Sequence, residues 1–266
     1  MPFIAAGEIT THYALEGPEG APVLLLANSL GTSFHVWDPV MAELAATFRV
    51  LRYDMRGHGL TDATPLPAEN AGYSIPLLAA DALALLDALG IEKVHVCGLS
   101  IGGMVAQHLA ATAPTRVDRL VLCDTSALIG PASVWDERIT GIRRDGLAAI
   151  APGVMGRWFT DAFREKAPQL MRGYANMVAR TTLDGYLGCA MAVRDADLRA
   201  AAATITAPTL VIVGDQDPAT PPASAQALAA AIPGARLEVI ADASHIPCVE
   251  QPAALTRLLV PFLTAA

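Results

Sequence analysis

The chain has 266 residues, enough for one large α/β domain or two small ones, and 53% of them are hydrophobic, so a substantial core can be buried. A net charge of −8 excludes any general attraction to nucleic acid or to an acidic membrane surface, while leaving room for a local basic pocket that takes a small anion. The first eight residues lack the basic stretch and long apolar run of a secretory leader, and the four cysteines, Cys97, Cys123, Cys189 and Cys248, form no Cys-x-x-Cys pair and no metal-ligand spacing. Reduced thiols and a cytoplasmic location are expected, with no membrane and no nucleic acid among the partners; oligomeric state is left open.

Taken in order, short apolar runs alternate with helical patterns. His12 falls in an early segment expected to be an edge strand. Residues 23–27, 50–53, 94–97 and 120–123 are runs too short for helices, and several are rich in β-branched residues. Between them lie helix candidates at about 37–47, 75–89 and 101–113. The most apolar stretch, 77–89, is interrupted by Asp81 and Asp87, which fits a soluble helix better than a membrane span. This rhythm implies a mostly parallel sheet covered by helices. It breaks at 126–206, where amphipathic helical segments are punctuated by Gly130-Pro131, Ala151-Pro152-Gly153 and Ala167-Pro168. The strand pattern returns at 209–213 and 237–240. The expected organisation is a core of residues 1–125 and 207–266 carrying a helical cap, 126–206, over the strand ends where ligands bind. The alternative is a second helical domain with no gating role.

The strongest local signal is Gly98-Leu99-Ser100-Ile101-Gly102-Gly103, placed between a strand and a helix pattern. A sharp strand-to-helix turn strains the serine backbone and demands small neighbours, and it presents the hydroxyl beside a helix N-terminus. Such a hydroxyl needs a base. Of the six histidines, His95 and His108 flank the turn within regular elements, His12 lies in the early strand, and His35 and His58 sit in loops. His245 follows the last strand and completes the chain order serine, acid, histidine. The acid comes from Gly214-Asp215-Gln216-Asp217, where residue types alone leave both aspartates open. Oxyanion donors are expected from the backbone N–H of Ile101 and, in the loop Asn28-Ser29-Leu30-Gly31, of Leu30. In Tyr53-Asp54-Met55-Arg56-Gly57-His58-Gly59-Leu60-Thr61, the polar groups are read as braces for the strand ends, with Arg56 or His58 as substrate ligands the alternative.

Together these motifs resemble the α/β-hydrolase fold, and over the whole length the chain resembles the 3-oxoadipate enol-lactonases of bacterial aromatic catabolism. The core match rests on Asn28-Ser-Leu-Gly-Thr32, Arg52-Tyr-Asp-Met-Arg-Gly-His-Gly59 and Cys97-Gly-Leu-Ser-Ile-Gly-Gly-Met104. The cap match rests on Trp135, Arg138, Arg157-Trp-Phe-Thr160, Gly185-Tyr186 with Cys189, and Asp197-Leu-Arg199. Asn28-Ser29 stands where related enzymes often have His-Gly. The resemblance implies Asp217 as the acid, completing a triad with Ser100 and His245. It also implies a small anionic lactone as substrate and the β-ketoadipate pathway as its setting, with neither metal nor organic cofactor. The substrate carboxylate would need donors, for which Trp135, Arg138, Arg157 and Trp158 are the candidates. Another ester, lactone or C–C bond hydrolase with the same triad is the first alternative, and a ligand receptor on the same scaffold the second. Haloalkane dehalogenation is disfavoured by serine at position 100, where that chemistry uses aspartate.

Overall fold

A computed structural model describes residues 2–265. Eight strands form one sheet: β1 (Phe3–Ala6), β2 (Ile9–Glu16), β3 (Val23–Ala27), β4 (Arg49–Tyr53), β5 (Val94–Leu99), β6 (Val117–Cys123), β7 (Thr209–Gly214) and β8 (Arg236–Ile240). Their order is β1-β2-β4-β3-β5-β6-β7-β8. The β1–β2 and β2–β4 pairs are antiparallel and every other pair is parallel. A parallel strand covered on both faces has no solvent side, which is why β3 reads as a continuous apolar run and β5 and β7 as nearly so, with only His95 and Thr209 breaking them. Every residue of β5 and β7 is buried.

Two expectations need correction. The strand carrying His12 is not at the edge, because β1 pairs outside it, with Phe3 opposite His12. β1 is four residues long and shows no clear period, so it left little pattern to read. The helix expected at 37–47 is a 3-10 segment, Phe34–Val40, followed by an α-helix, Met41–Thr47. Pro39 lacks the N–H that an α-helical ladder needs there.

Helices Ile75–Ala88 and Ile101–Thr112 pack on one another and on the sheet, and helices Met41–Thr47 and Pro252–Thr264 form another contacting pair. Between β6 and β7 the described residues form only helices: Ala132–Asp145, Leu147–Trp158, Asp161–Lys166, Pro168–Ala179, Leu183–Asp195 and Arg199–Ala202. The fifth of these is buried without a break from Gly185 to Val193. It meets the core where Gly185 crosses Gly57, so closely that a Cβ on Gly185 would lie 2.4 Å from the Gly57 oxygen. The Thr182 hydroxyl donates to that same carbonyl at 2.8 Å. Glu250 makes a second tie. Its carboxylate accepts the Thr160 N–H at 3.0 Å and the Ser244 N–H at 2.8 Å, joining the inserted helices to the loop that carries His245. No helix among the described residues is long and apolar enough to cross a membrane.

Candidate active site

Ser100 ends the turn out of β5 with φ 58° and ψ −119°, a conformation that costs about 1–3 kcal/mol in a non-glycine residue. The surroundings enforce it. The Ser100 N–H donates to the Cys123 carbonyl at 3.0 Å, and its own carbonyl accepts the Thr125 hydroxyl at 2.7 Å. The flanking glycines have no room for a side chain, since a Cβ on Gly98 would lie 2.3 Å from the Gly102 oxygen and one on Gly102 2.3 Å from the Ala27 oxygen.

His245 is buried, and its Nδ1 lies 2.8 Å from Asp217 Oδ2. Asp217 also accepts the Thr220 hydroxyl at 2.6 Å and the backbone N–H groups of Ala219 at 2.7 Å and Thr220 at 3.2 Å. Burial works to raise the Asp217 pKa. The His245 ring and the hydrogen bonds from His245, Thr220 and Ala219 outweigh it and hold the value down to about 2. Asp215 is exposed and accepts only the Ala243 N–H, at 3.2 Å, so geometry separates the two aspartates that residue type could not. The other histidines are engaged elsewhere. His12 contacts Asp54, His35 contacts Asp38, and among the described histidines only His245 lines the cavity at Ser100.

Ile101 and Leu30 both line that cavity, and neither backbone N–H donates to an acceptor among the described residues. The loop holding Leu30 is braced from below. The Gly31 N–H donates to His58 Nε2 at 3.0 Å, so that nitrogen must be unprotonated and the ring hydrogen sits on Nδ1, 3.1 Å from the Arg56 carbonyl. Burial pushes the His58 pKa down, in keeping with a neutral ring. Arg56 is buried against Asp81 and Glu8. Arg56 and His58 therefore act as braces and do not line the cavity. Asn28 donates to the Tyr53 carbonyl and accepts the Trp37 indole N–H, both at 2.9 Å, which gives it a structural job in the same loop.

The cavity is about 640 Å³ and brings together Leu30, Ser100, Ile101 and His245 from the strand-end loops with Trp135, Arg138, Arg157 and Trp158 from the inserted helices. Asp217 stands behind His245. The Trp135 indole N–H is given to the Ile129 carbonyl at 2.8 Å, leaving its ring, beneath the Arg138 guanidinium at 5.3 Å, as the surface it offers. Arg138 donates to the Tyr186 hydroxyl, and its Nε is buried with no partner. Arg157 is exposed at the cavity, and the partial desolvation there, followed by the Arg138 cation, pushes its pKa down. Neither guanidinium pairs with a carboxylate among the described residues. Tyr186, fully buried 48 positions beyond Arg138, is a partner that helix spacing could not reveal. Among the described residues no cluster of three His, Cys, Asp or Glu side chains could hold a metal ion.

Residues 22–252 match the family model described as the α/β-hydrolase fold. A 3-oxoadipate enol-lactonase from Acinetobacter baylyi is 38% identical over 96% of this chain and 93% of its own. The crystal structure of the enol-lactonase from Burkholderia xenovorans superposes with a TM-score of 0.95 at 41% identity, covering 99% of this chain and 100% of that one. A thermophilic esterase from Thermogutta terrifontis, solved with malate bound, gives 0.88 at 29% identity over 98% of this chain and 95% of that one. The chain belongs to the α/β-hydrolase family, and within it stands with the 3-oxoadipate enol-lactonases.

Proposed function

We propose that this enzyme hydrolyses 3-oxoadipate enol-lactone to 3-oxoadipate through a Ser100 acyl-enzyme. The observation that carries the reading is one cavity lined by Ser100, by His245 and by two guanidiniums without carboxylate partners. A guanidinium pair costs free energy to hold together unless an anion joins it, and a carboxylate accepts its forked N–H groups well. The similarity to two enol-lactonases supports a lactone with a carboxylate arm as that anion.

Ser100 Oγ attacks the ring carbonyl while His245 Nε2 takes its proton, with Asp217 holding the Nδ1–H tautomer. The oxyanion rests on the N–H groups of Ile101 and Leu30. Collapse breaks the ring C–O bond, and His245 returns the proton to the departing enol oxygen, after which the enol becomes a ketone. Water, deprotonated by His245, then releases the acid and restores Ser100 Oγ–H. Each proton taken is given back within the cycle, and no step calls for a metal or an organic cofactor. The helices in 126–206 serve as a cap on a core of 1–125 and 207–266, and Arg138 and Arg157 bind the carboxylate arm there. The compartment is the cytoplasm, a reading supported by four cysteines that are free and buried.

The test is a spectrophotometric assay on freshly generated enol-lactone, run beside neutral p-nitrophenyl esters and with Ser100→Ala as control. Rapid lactone turnover that the substitution abolishes supports the reading. Rapid ester turnover with no lactone activity rejects the substrate, and lactone turnover that survives Ser100→Ala rejects the mechanism.

A further inference from the structure

Asp124 stands at the end of β6, between the strand that leads into Ser100 and the strand that leads to Asp217. It is 0% exposed and sits at φ 45°, a left-handed conformation that Asp and Asn tolerate better than most residues. Its N–H donates to the Ile212 carbonyl at 2.9 Å, and its Oδ1 accepts the Gly214 N–H at 2.8 Å, so both its backbone and its side chain are tied to β7. Its Oδ2 is buried with no donor from any described residue, and Gly214, whose N–H its Oδ1 takes, accepts the Asp217 N–H on its own carbonyl at 3.3 Å, which sets the two aspartates on either side of one residue.

The titratable groups that face Asp124 are Asp217, with His245 beyond it, Cys123 beside it on β6, with Cys97 next, and Cys248 from the helix Pro247–Glu250. None is a fixed cation. Two buried carboxylates held so close together cannot both ionise without a large penalty. Asp217 has the imidazole and three donors to hold its charge. Asp124 has one backbone N–H, and burial, followed by the Asp217 charge, pushes its pKa well up.

We propose that Asp124 is a positioning residue that keeps its carboxyl proton and donates it, as a hydrogen bond, to Asp217, fixing that carboxylate for His245. The proposal rests on the triad reading above. Its chemical sense is that a second negative charge at this place would hold the proton on the imidazole and stop it acting as a base. A neutral donor holds Asp217 without adding that charge.

The test has two readouts. An infrared difference spectrum between wild-type enzyme and Asp124→Asn at neutral pH shows the carbonyl stretch of a protonated carboxyl, lost in the variant. In kinetics, Asp124→Ala lowers kcat by about ten- to a hundredfold with KM little changed, as expected for losing one hydrogen bond to a charged group. Asp124→Asn, whose amide can accept from Gly214 and donate to Asp217, restores kcat to within about fivefold of wild type. It also leaves the acid limb of the kcat/KM profile in place. A missing band overturns the proposal. So does a downward displacement of that limb by about one pH unit in Asp124→Asn, the response to removing a negative charge. Should Asp124→Ala fail to fold, the band and the Asn profile still decide. Failure of the triad reading looks different: Ser100→Ala would keep its turnover while the infrared band stayed.

Discussion

The strand-end loops and the inserted helices meet at one cavity, yet their polar groups are treated in opposite ways. On the loop side His245 and Asp217 have partners within the protein, and the Ser100 backbone is clamped by Cys123 and Thr125. On the helix side Arg138 and Arg157 face the same space, and neither is paired with a carboxylate there, although Glu137 also lines it. A clamped group is ready for a reaction whose geometry is fixed in advance, as acyl transfer requires. An unmatched cation marks where the ligand supplies the missing charge. Substitutions on the loop side should therefore strike kcat, and those on the helix side KM.

The sharpest way to break that division is Ser100→Ala, expected to lower kcat by about six orders of magnitude with KM nearly unchanged. Asp217→Asn comes next, at about four orders, because the tautomer of His245 is lost. Asp215→Asn serves as its control and should stay within about twofold, since Asp215 lies exposed beside the strand end. On the helix side, Arg138→Met and Arg157→Met should each raise KM for the enol-lactone about ten- to a hundredfold, the worth of one charge-assisted hydrogen bond. A neutral ester of similar size should be nearly indifferent to both. Equal losses on charged and neutral substrates would mean that these arginines only shape the wall.

The smallest effect concerns the brace. Burial lowers the His58 pKa from its ordinary value of 6.5, so between that value and the lower folded one the unfolded chain binds a proton that the native chain refuses. Stability then rises with pH through this window and is lost as pH falls below about 6.5. Thermal melts between pH 7.5 and 5.5 should show the midpoint falling on acidification, less steeply in His58→Gln. Some slope will remain, because burial also lowers the pKa of His95 and His108.

What could be read from residues alone followed the same divide. The serine turn and the central strands were legible because steric need and burial act locally: Gly98 and Gly102 have no room for a Cβ, and β3 is apolar from end to end. The choice between Asp215 and Asp217 was not local. Both follow β7, and only the fold shows that one is buried against His245 while the other faces solvent. The four-residue β1 has no period to read, and the pattern at 37–47 reads as one helix although its first residues belong to the 3-10 segment Phe34–Val40 with Pro39 inside. Contacts over long sequence separations were silent throughout. Arg138 with Tyr186, Glu250 with Thr160 and Gly31 with His58 each join residues whose individual types give no hint of the pairing.

The most direct measurement is rapid-quench mass spectrometry of the enzyme mixed with enol-lactone. We expect a transient adduct of the full lactone mass, formed fast enough to lie on the path of turnover, on the peptide bearing Ser100, and none in Ser100→Ala. An adduct on another residue, or wild-type turnover by the alanine variant, would contradict the Ser100 acyl-enzyme.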